Sequence, residues 1–133
     1  MKMLMAVVAG SIGTVAAVAL SAPSTAQPTA AQSANAAPPA FAACRACHTV
    51  EKGGRNGIGP NLYRVVGRAA GSMPGFSYSA AMKGSKLRWD EQTLNEYLAA
   101  PSKKVPGTRM PIATPDAAKR AAIIKYLKAE GTK

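Results

Sequence analysis

Cys44-Arg45-Ala46-Cys47-His48 holds both cysteines and the only histidine of the chain in five consecutive residues. C-x-x-C-H is the attachment signature of c-type haem. Two thiols at this spacing, on the last turn of a short helix, can reach the two vinyl groups of one porphyrin as thioethers. The adjacent imidazole of His48 then falls under the iron as proximal ligand. Other uses of the three residues fare worse. A Cys44–Cys47 disulfide would close too short a loop to staple a domain of this size. A thiol–disulfide oxidoreductase would need a βαβ context that the chain lacks. A zinc site would need a fourth, distant His or Cys, and there is none.

The 133 residues suffice for one domain with appendages. Met1-Lys2 is a minimal positive n-region, and an uncharged Ala-, Val- and Leu-rich stretch follows from Met3 to Ala22. Ser24-Thr25-Ala26 puts small residues at the −3 and −1 positions of a cleavage site, so residues 1–26 read as a signal peptide. The rival reading is an uncleaved membrane anchor, because the stretch is long enough to span a bilayer. Ala34-Asn35-Ala36 is a second candidate cleavage site. Residues 27–37 form an uncharged, Ala/Pro-rich flexible tether with little to bury. The folded domain is then 38–133. It has few large side chains, with two Phe, one Trp and four Tyr in the whole chain. Much of the 47% hydrophobic fraction is alanine, which buries little area. A covalently held macrocycle would supply the missing apolar bulk.

Four helical segments are expected, and no stretch alternates like a strand. The first is Pro39 to Ala46. A Gly-rich loop, Gly53 to Pro60, cannot be helical. A short helix follows around Ser77 to Lys83, stopped by Gly84. Asp90 caps a helix with Leu94, Tyr97 and Leu98 on its apolar face, ended by Pro101. Residues 101–113, with Pro101, Pro106 and Pro111, are predicted to be an extended, stiff loop. Thr114 is the expected N-cap of the last helix, with Pro115 at its first position and Asp116 in its first turn. That helix should run to about Glu130. The predicted fold class is all-α, small and loop-rich.

Haem iron needs a sixth partner. With no second histidine, the downstream candidates are the thioethers of Met73, Met82 and Met110. Met82 lies in a helix-like run, where methionine is ordinarily a packing residue. Met73 and Met110 both precede proline, which keeps the backbone extended. Met73 comes before the segments that would cover the haem. Met110 sits in the proline-stiffened loop after Val105-Pro106-Gly107-Thr108-Arg109, where a weak neutral ligand is presented with little entropy loss. Met110 is the preferred choice, and a surface loop methionine is its rival.

Five stretches then match one known pattern in order and spacing. They are F-A-A-C-R-A-C-H-T-V (41–50), G-P-N-L-Y-R-V-V-G-R (59–68), P-G-F-S-Y-S-A-A-M-K (74–83), W-D-E-Q-T-L-N-E-Y-L (89–98) and P-G-T-R-M-P (106–111). From about Phe41 to Lys128 the chain resembles the class I cytochromes c of the mitochondrial and alphaproteobacterial type. The resemblance implies a cytochrome c fold of four to five helices around one haem c, covalent through Cys44 and Cys47, with His48 and Met110 on the iron. It implies that the Pro60 carbonyl accepts the His48 Nδ1–H. It implies that Arg68, Tyr78 and Trp89 bond or neutralise the haem propionates; core packing is the plainer role for Tyr78 and Trp89. By the same resemblance Tyr97 approaches the Met110 sulfur, with Thr108 as a nearby hydroxyl, and Phe41 packs with Ile123 and Tyr126. There are departures. Met82 stands where mitochondrial members have a buried asparagine, Lys104 where they have a loop aromatic, and Ala100 where they have an asparagine.

The formal charge is +11. Basic residues in the loops expected around the haem edge include Lys52, Lys83, Lys86, Lys103, Lys104 and Arg109, with Arg45 and Arg55 beside them. Such a face would steer the chain onto acidic redox proteins; solubility and attraction to anionic membrane are the plainer reading. No aromatic stacking platform supports nucleic-acid binding. The resemblance implies a one-electron carrier, not an enzyme, between a quinol–cytochrome c reductase of the bc1 type and a terminal cytochrome c oxidase. It also implies a monomer exported to the bacterial periplasm, where haem is attached; tethering by an uncleaved leader is the alternative. If Met110 were not bound, the open iron would instead suit peroxide or small-gas chemistry.

Overall fold

The computed structural model describes residues 36–133. The signal peptide or anchor (1–26) and nearly all of the tether lie outside the described residues. Pro38 is extended and Pro39 opens a 3-10 turn, Pro39–Phe41, that runs directly into helix α1, Ala42–Arg45. The C-x-x-C-H run begins in α1 with Cys44 and continues past its end, where the N–H groups of Cys47 and His48 both donate to Cys44 O at 3.1 and 2.9 Å. The other helices are α2 (Ala80–Gly84), α3 (Glu91–Ala99), α4 (Pro101–Lys104) and α5 (Ala117–Glu130). Among the described residues the only β-type pairing is an isolated antiparallel bridge between Ala69 and Arg88. Bonds from Trp89 N to Arg68 O (2.9 Å) and from Gly67 N to Trp89 O (2.8 Å) bring the two loops together there. The all-α, loop-rich class is as expected.

Side-chain caps start three helices. Ser79 accepts from Met82 N, Asp90 from Thr93 N and Asp116 from Lys119 N, each filling a donor that the first turn leaves open. Two local expectations need correction. The cap of α5 is Asp116, not Thr114. Thr114 instead donates its N–H to Leu98 O at 2.7 Å, and the carbonyls of Thr114 and Pro115 are both taken by Arg120 Nη1. Residues 101–113 are also not extended throughout. Pro101 fixes the first position of α4, where its missing N–H costs nothing, and the chain becomes loop only after Lys104.

The core forms where α5 meets α3 and the N-terminal turn. Phe41 is fully buried and meets Tyr126 edge-on, with ring centroids 4.9 Å apart. Ile123 is almost as deeply buried. A second aromatic contact, Trp89 with Tyr97 at 4.9 Å, joins α3 to the loop before it. Lys104 pairs with Glu96 at 2.5 Å and so ties α4 to α3.

Candidate functional site

Gly59 donates its N–H to Cys47 O at 2.8 Å, laying the Gly-rich loop along the residues that follow α1. The next residue, Pro60, turns its carbonyl to His48 and accepts the Nδ1–H at 2.7 Å. That bond fixes the tautomer, leaving Nε2 as the free, lone-pair-bearing nitrogen. The ring is packed as tightly as it is bonded. A Cβ at position 59 would lie 2.3 Å from its Cε1 and 2.6 Å from its Nδ1, so only glycine fits against the imidazole. Burial pulls the His48 pKa down, and the Pro60 carbonyl works the other way. Net lowering keeps the ring neutral at pH 7, the form that ligates metal.

His48 opens onto a cavity of about 520 Å³. Cys44 and Cys47 stand on the same wall, both with free thiols. Burial raises the Cys44 thiol above its ordinary pKa. Met110 comes from the loop after α4, Tyr78 and Met82 from in and around α2, and Tyr97 with Leu94 from α3. Tyr97 Oη and Thr108 Oγ1 share a hydrogen bond at 2.7 Å, and Thr108 Oγ1 also accepts the Met110 N–H at 3.3 Å. Burial raises the Tyr97 pKa despite the bond to Thr108, so the phenol stays neutral. Met82 is buried and presents a thioether where an asparagine would bring polar atoms.

Three expected site residues have other immediate partners. Trp89 does not line the cavity and packs on Tyr97. Arg68 sits behind the wall, donating Nη2 to Asn61 O at 2.9 Å and Nη1 to Tyr63 O at 3.1 Å. Its Nε is buried with no partner among the described residues, a donor left over for an acceptor. Tyr78 lines the cavity while its hydroxyl accepts the Met73 N–H at 3.3 Å. The sequence reading missed Gly59 as a packing requirement, although Gly-Pro directly before Asn61 was its visible trace. It also missed Ile58 and Ile112, large apolar side chains exposed at 82% and 55% beside the cavity.

The residues fit the haem that the motif calls for. The cavity wall is mainly apolar, with Phe41, Leu62, Val65, Leu94, Leu98 and Ile123 among its lining residues, so it is built to close on an apolar body. Two thiols, a neutral imidazole and a thioether are the donors it offers, and Arg68 holds a spare N–H. Among the described residues no group of three His, Cys, Asp or Glu side chains forms a separate metal site.

Of the expected basic residues, Lys52, Lys83, Lys86, Lys103 and Arg109 are exposed. Arg109 lies on the cavity rim and donates to the Ser77 carbonyl. Lys104 is half-buried in its pair with Glu96 and is the least available of the set. No described helix is long and apolar enough to cross a membrane.

Comparison with known proteins gives a consistent picture. The chain is 50% identical over 97 residues to cytochrome c2 of Rhodoblastus acidophilus, covering 70% of this chain and 91% of that one. It is 43% identical over 88 residues to cytochrome c of Ginkgo biloba, covering 64% and 76%. Among solved structures, cytochrome cH from Methylobacterium extorquens superposes with a TM-score of 0.63 at 49% identity, over 68% of this chain and 91% of that one. No family model matches.

Proposed function

This chain belongs to the class I cytochrome c family, and from that premise we propose that it carries single electrons on a haem c whose iron is closed by His48 and Met110. Haem c, when bound, supplies an Fe(III)/Fe(II) couple. Cytochromes c are electron carriers, not enzymes, and this chain has the covalent attachment pair of one in Cys44 and Cys47.

The observation that carries the reading is the 2.7 Å bond from His48 Nδ1 to Pro60 O, at a cavity that Met110 also lines. Each residue then has a task. Pro60 holds the imidazole in one orientation and raises its basicity. Thr108, bonded to Tyr97 and to the Met110 N–H, fixes the loop that presents the thioether. Two protein ligands leave no position for a substrate. Leu94, Met82 and the other apolar lining residues exclude water, and a low-dielectric surrounding together with thioether ligation raises the potential. Arg68, behind the wall, has the spare buried N–H to approach a propionate, Tyr78 lines the cavity itself, and Trp89 supports them from the core.

The proposed donor and acceptor are a bc1-type quinol–cytochrome c reductase and a cytochrome c oxidase. Both would be met as a periplasmic monomer through the exposed cations at Lys52, Lys83, Lys86, Lys103 and Arg109, with Lys104 secondary. Steering of this kind weakens as salt shortens the range of the field.

Intact mass of the native protein tests attachment and leader removal together, and a redox titration tests carriage. The expected result is one covalent haem, a chain shortened at or near residue 26, and a reversible one-electron titration with no ready binding of carbon monoxide to the reduced form. A mass without haem overturns the cofactor assignment, and rapid carbon monoxide binding overturns the closed iron.

A further inference from the structure

We propose that Asn61 and Thr49 form a positioning pair, a side-chain rung that holds the Pro60 carbonyl on His48 and thereby tunes the electron donation of the imidazole. The inference rests on His48 being an iron ligand.

Segments 47–49 and 59–62 lie side by side and are joined by successive bonds. Gly59 N donates to Cys47 O, His48 Nδ1 to Pro60 O, Asn61 Nδ2 to Thr49 Oγ1 and Leu62 N to Thr49 O, all between 2.7 and 2.8 Å. Thr49 follows His48, and Asn61 follows Pro60. The Asn61–Thr49 rung is therefore the immediate neighbour of the bond that orients the imidazole. It is the only rung of the four made between two side chains.

Asn61 is built in as few surface-loop residues are. It is 3% exposed, and every polar group it has is satisfied. Beyond the bond to Thr49, its Nδ2 donates to Glu51 O at 3.0 Å and its Oδ1 accepts from Tyr63 N at 2.9 Å. Its own N–H donates to Asn56 Oδ1 at 2.9 Å, and its carbonyl accepts from Arg68 Nη2. Thr49 is equally committed, since its hydroxyl accepts from Asn61 and donates to Arg55 O at 2.8 Å. The neighbourhood is fitted to the pair. A Cβ at Gly54 would lie 2.7 Å from Asn61 Nδ2 and 2.8 Å from Thr49 Oγ1, so only glycine leaves room for the rung. A buried amide with this many partners has one position, and losing a partner leaves a desolvated group that must move to water. The movement falls on the residue next to Pro60.

If the carbonyl drifts from His48, the Nδ1–H bond weakens, the imidazole becomes less basic, and ferric iron loses more stabilisation than ferrous. The potential rises. Thr49→Val removes the hydroxyl while nearly keeping the shape. Asn61→Ala removes all three side-chain bonds, and Thr49→Ser restores the rung. Ile124→Val, a buried site away from the cavity, serves as a control that lowers stability alone. Two readouts are taken on the reduced holoprotein: the reduction potential and, by NMR, the solvent exchange rate of the His48 Nδ1–H.

Thr49→Val is expected to shift the redox equilibrium at least threefold towards the reduced form, about 30 mV at 59 mV per tenfold. Exchange should accelerate by up to about tenfold, the factor that corresponds to losing one hydrogen bond. Thr49→Ser should stay near wild type in both, and Ile124→Val should move neither. The proposal is overturned if Thr49→Val lowers stability as Ile124→Val does but leaves potential and exchange at wild-type values. If Asn61→Ala fails to fold, Thr49→Val decides. Failure of the underlying ligand assignment looks different, because the wild-type protein itself would then lack the signature of a histidine-ligated iron.

Discussion

Adding one methyl group to Gly59 should do more damage than its size suggests. The Cβ of Gly59→Ala would lie 2.3 Å from His48 Cε1, 2.6 Å from Nδ1 and 2.7 Å from Nε2, over 1 Å short of ordinary contact at the nearest atom. There are two escapes. The imidazole can turn away, which breaks its bond to the Pro60 carbonyl. Alternatively the loop can back off, which breaks the 2.8 Å bond from Gly59 N to Cys47 O. Either loss costs about 0.5–1.5 kcal/mol, and forcing a carbon into a packed site adds about 1–3 kcal/mol. A loss near 2–4 kcal/mol is expected, which for a domain of this size lowers the melting temperature by at least about 8 °C. Guanidinium unfolding of the holoprotein, followed through its only tryptophan, Trp89, measures it. The same substitution at Gly84, at the end of α2 with nothing within 4 Å of an added Cβ, is the control. It should be neutral or stabilise by about 0.4–1 kcal/mol. Gly59→Ala within about 0.5 kcal/mol of wild type would refute the packing argument.

Three further outcomes follow from the same contacts. Phe41→Ala removes the fully buried ring that joins the N-terminal turn to α5 and should cost about 3–5 kcal/mol, read from the denaturation midpoint; a loss below about 1 kcal/mol would mean that this contact does not anchor the fold. Tyr97→Phe leaves the Thr108 hydroxyl with only the long bond from Met110 N and should cost about 1–3 kcal/mol in the same assay; no change would mean the pair does not stiffen the Met110 loop. The Thr93 and Lys119 N–H groups hold the Asp90 and Asp116 carboxyls below their ordinary pKa, so their stabilisation is complete above about pH 4 and fades as pH falls through the lower folded-state values. Replacing both by Asn, which still caps, should flatten the acid limb of a melting-temperature profile, and an unchanged limb would assign acid sensitivity elsewhere.

Residues with chemistry of their own were the legible part. Cys44, Cys47 and His48 announce themselves, and Met110 stands out because proline stiffens its loop. The packing of Phe41 with Ile123 and Tyr126 was implied by the family pattern alone. Choices settled by distant partners were not legible. Thr114 and Asp116 are both good capping residues, and the decision lies with Arg120, which takes the two carbonyls before Asp116, and with Leu98, which takes the Thr114 N–H. Pro101 reads as a stop for α3, yet the same fixed φ makes it a start for α4. The Thr49–Asn61 rung has no periodic trace at all. It joins two residues across a Gly-rich loop whose path only the folded chain defines.

The closed iron is the central claim, and the near-infrared spectrum of the ferric protein tests it most directly, with Met110→Ala measured beside wild type. The account predicts a methionine–iron charge-transfer band in wild type that disappears in Met110→Ala, with haem still attached in both. A wild-type spectrum without the band, or a band that survives in Met110→Ala, would contradict it.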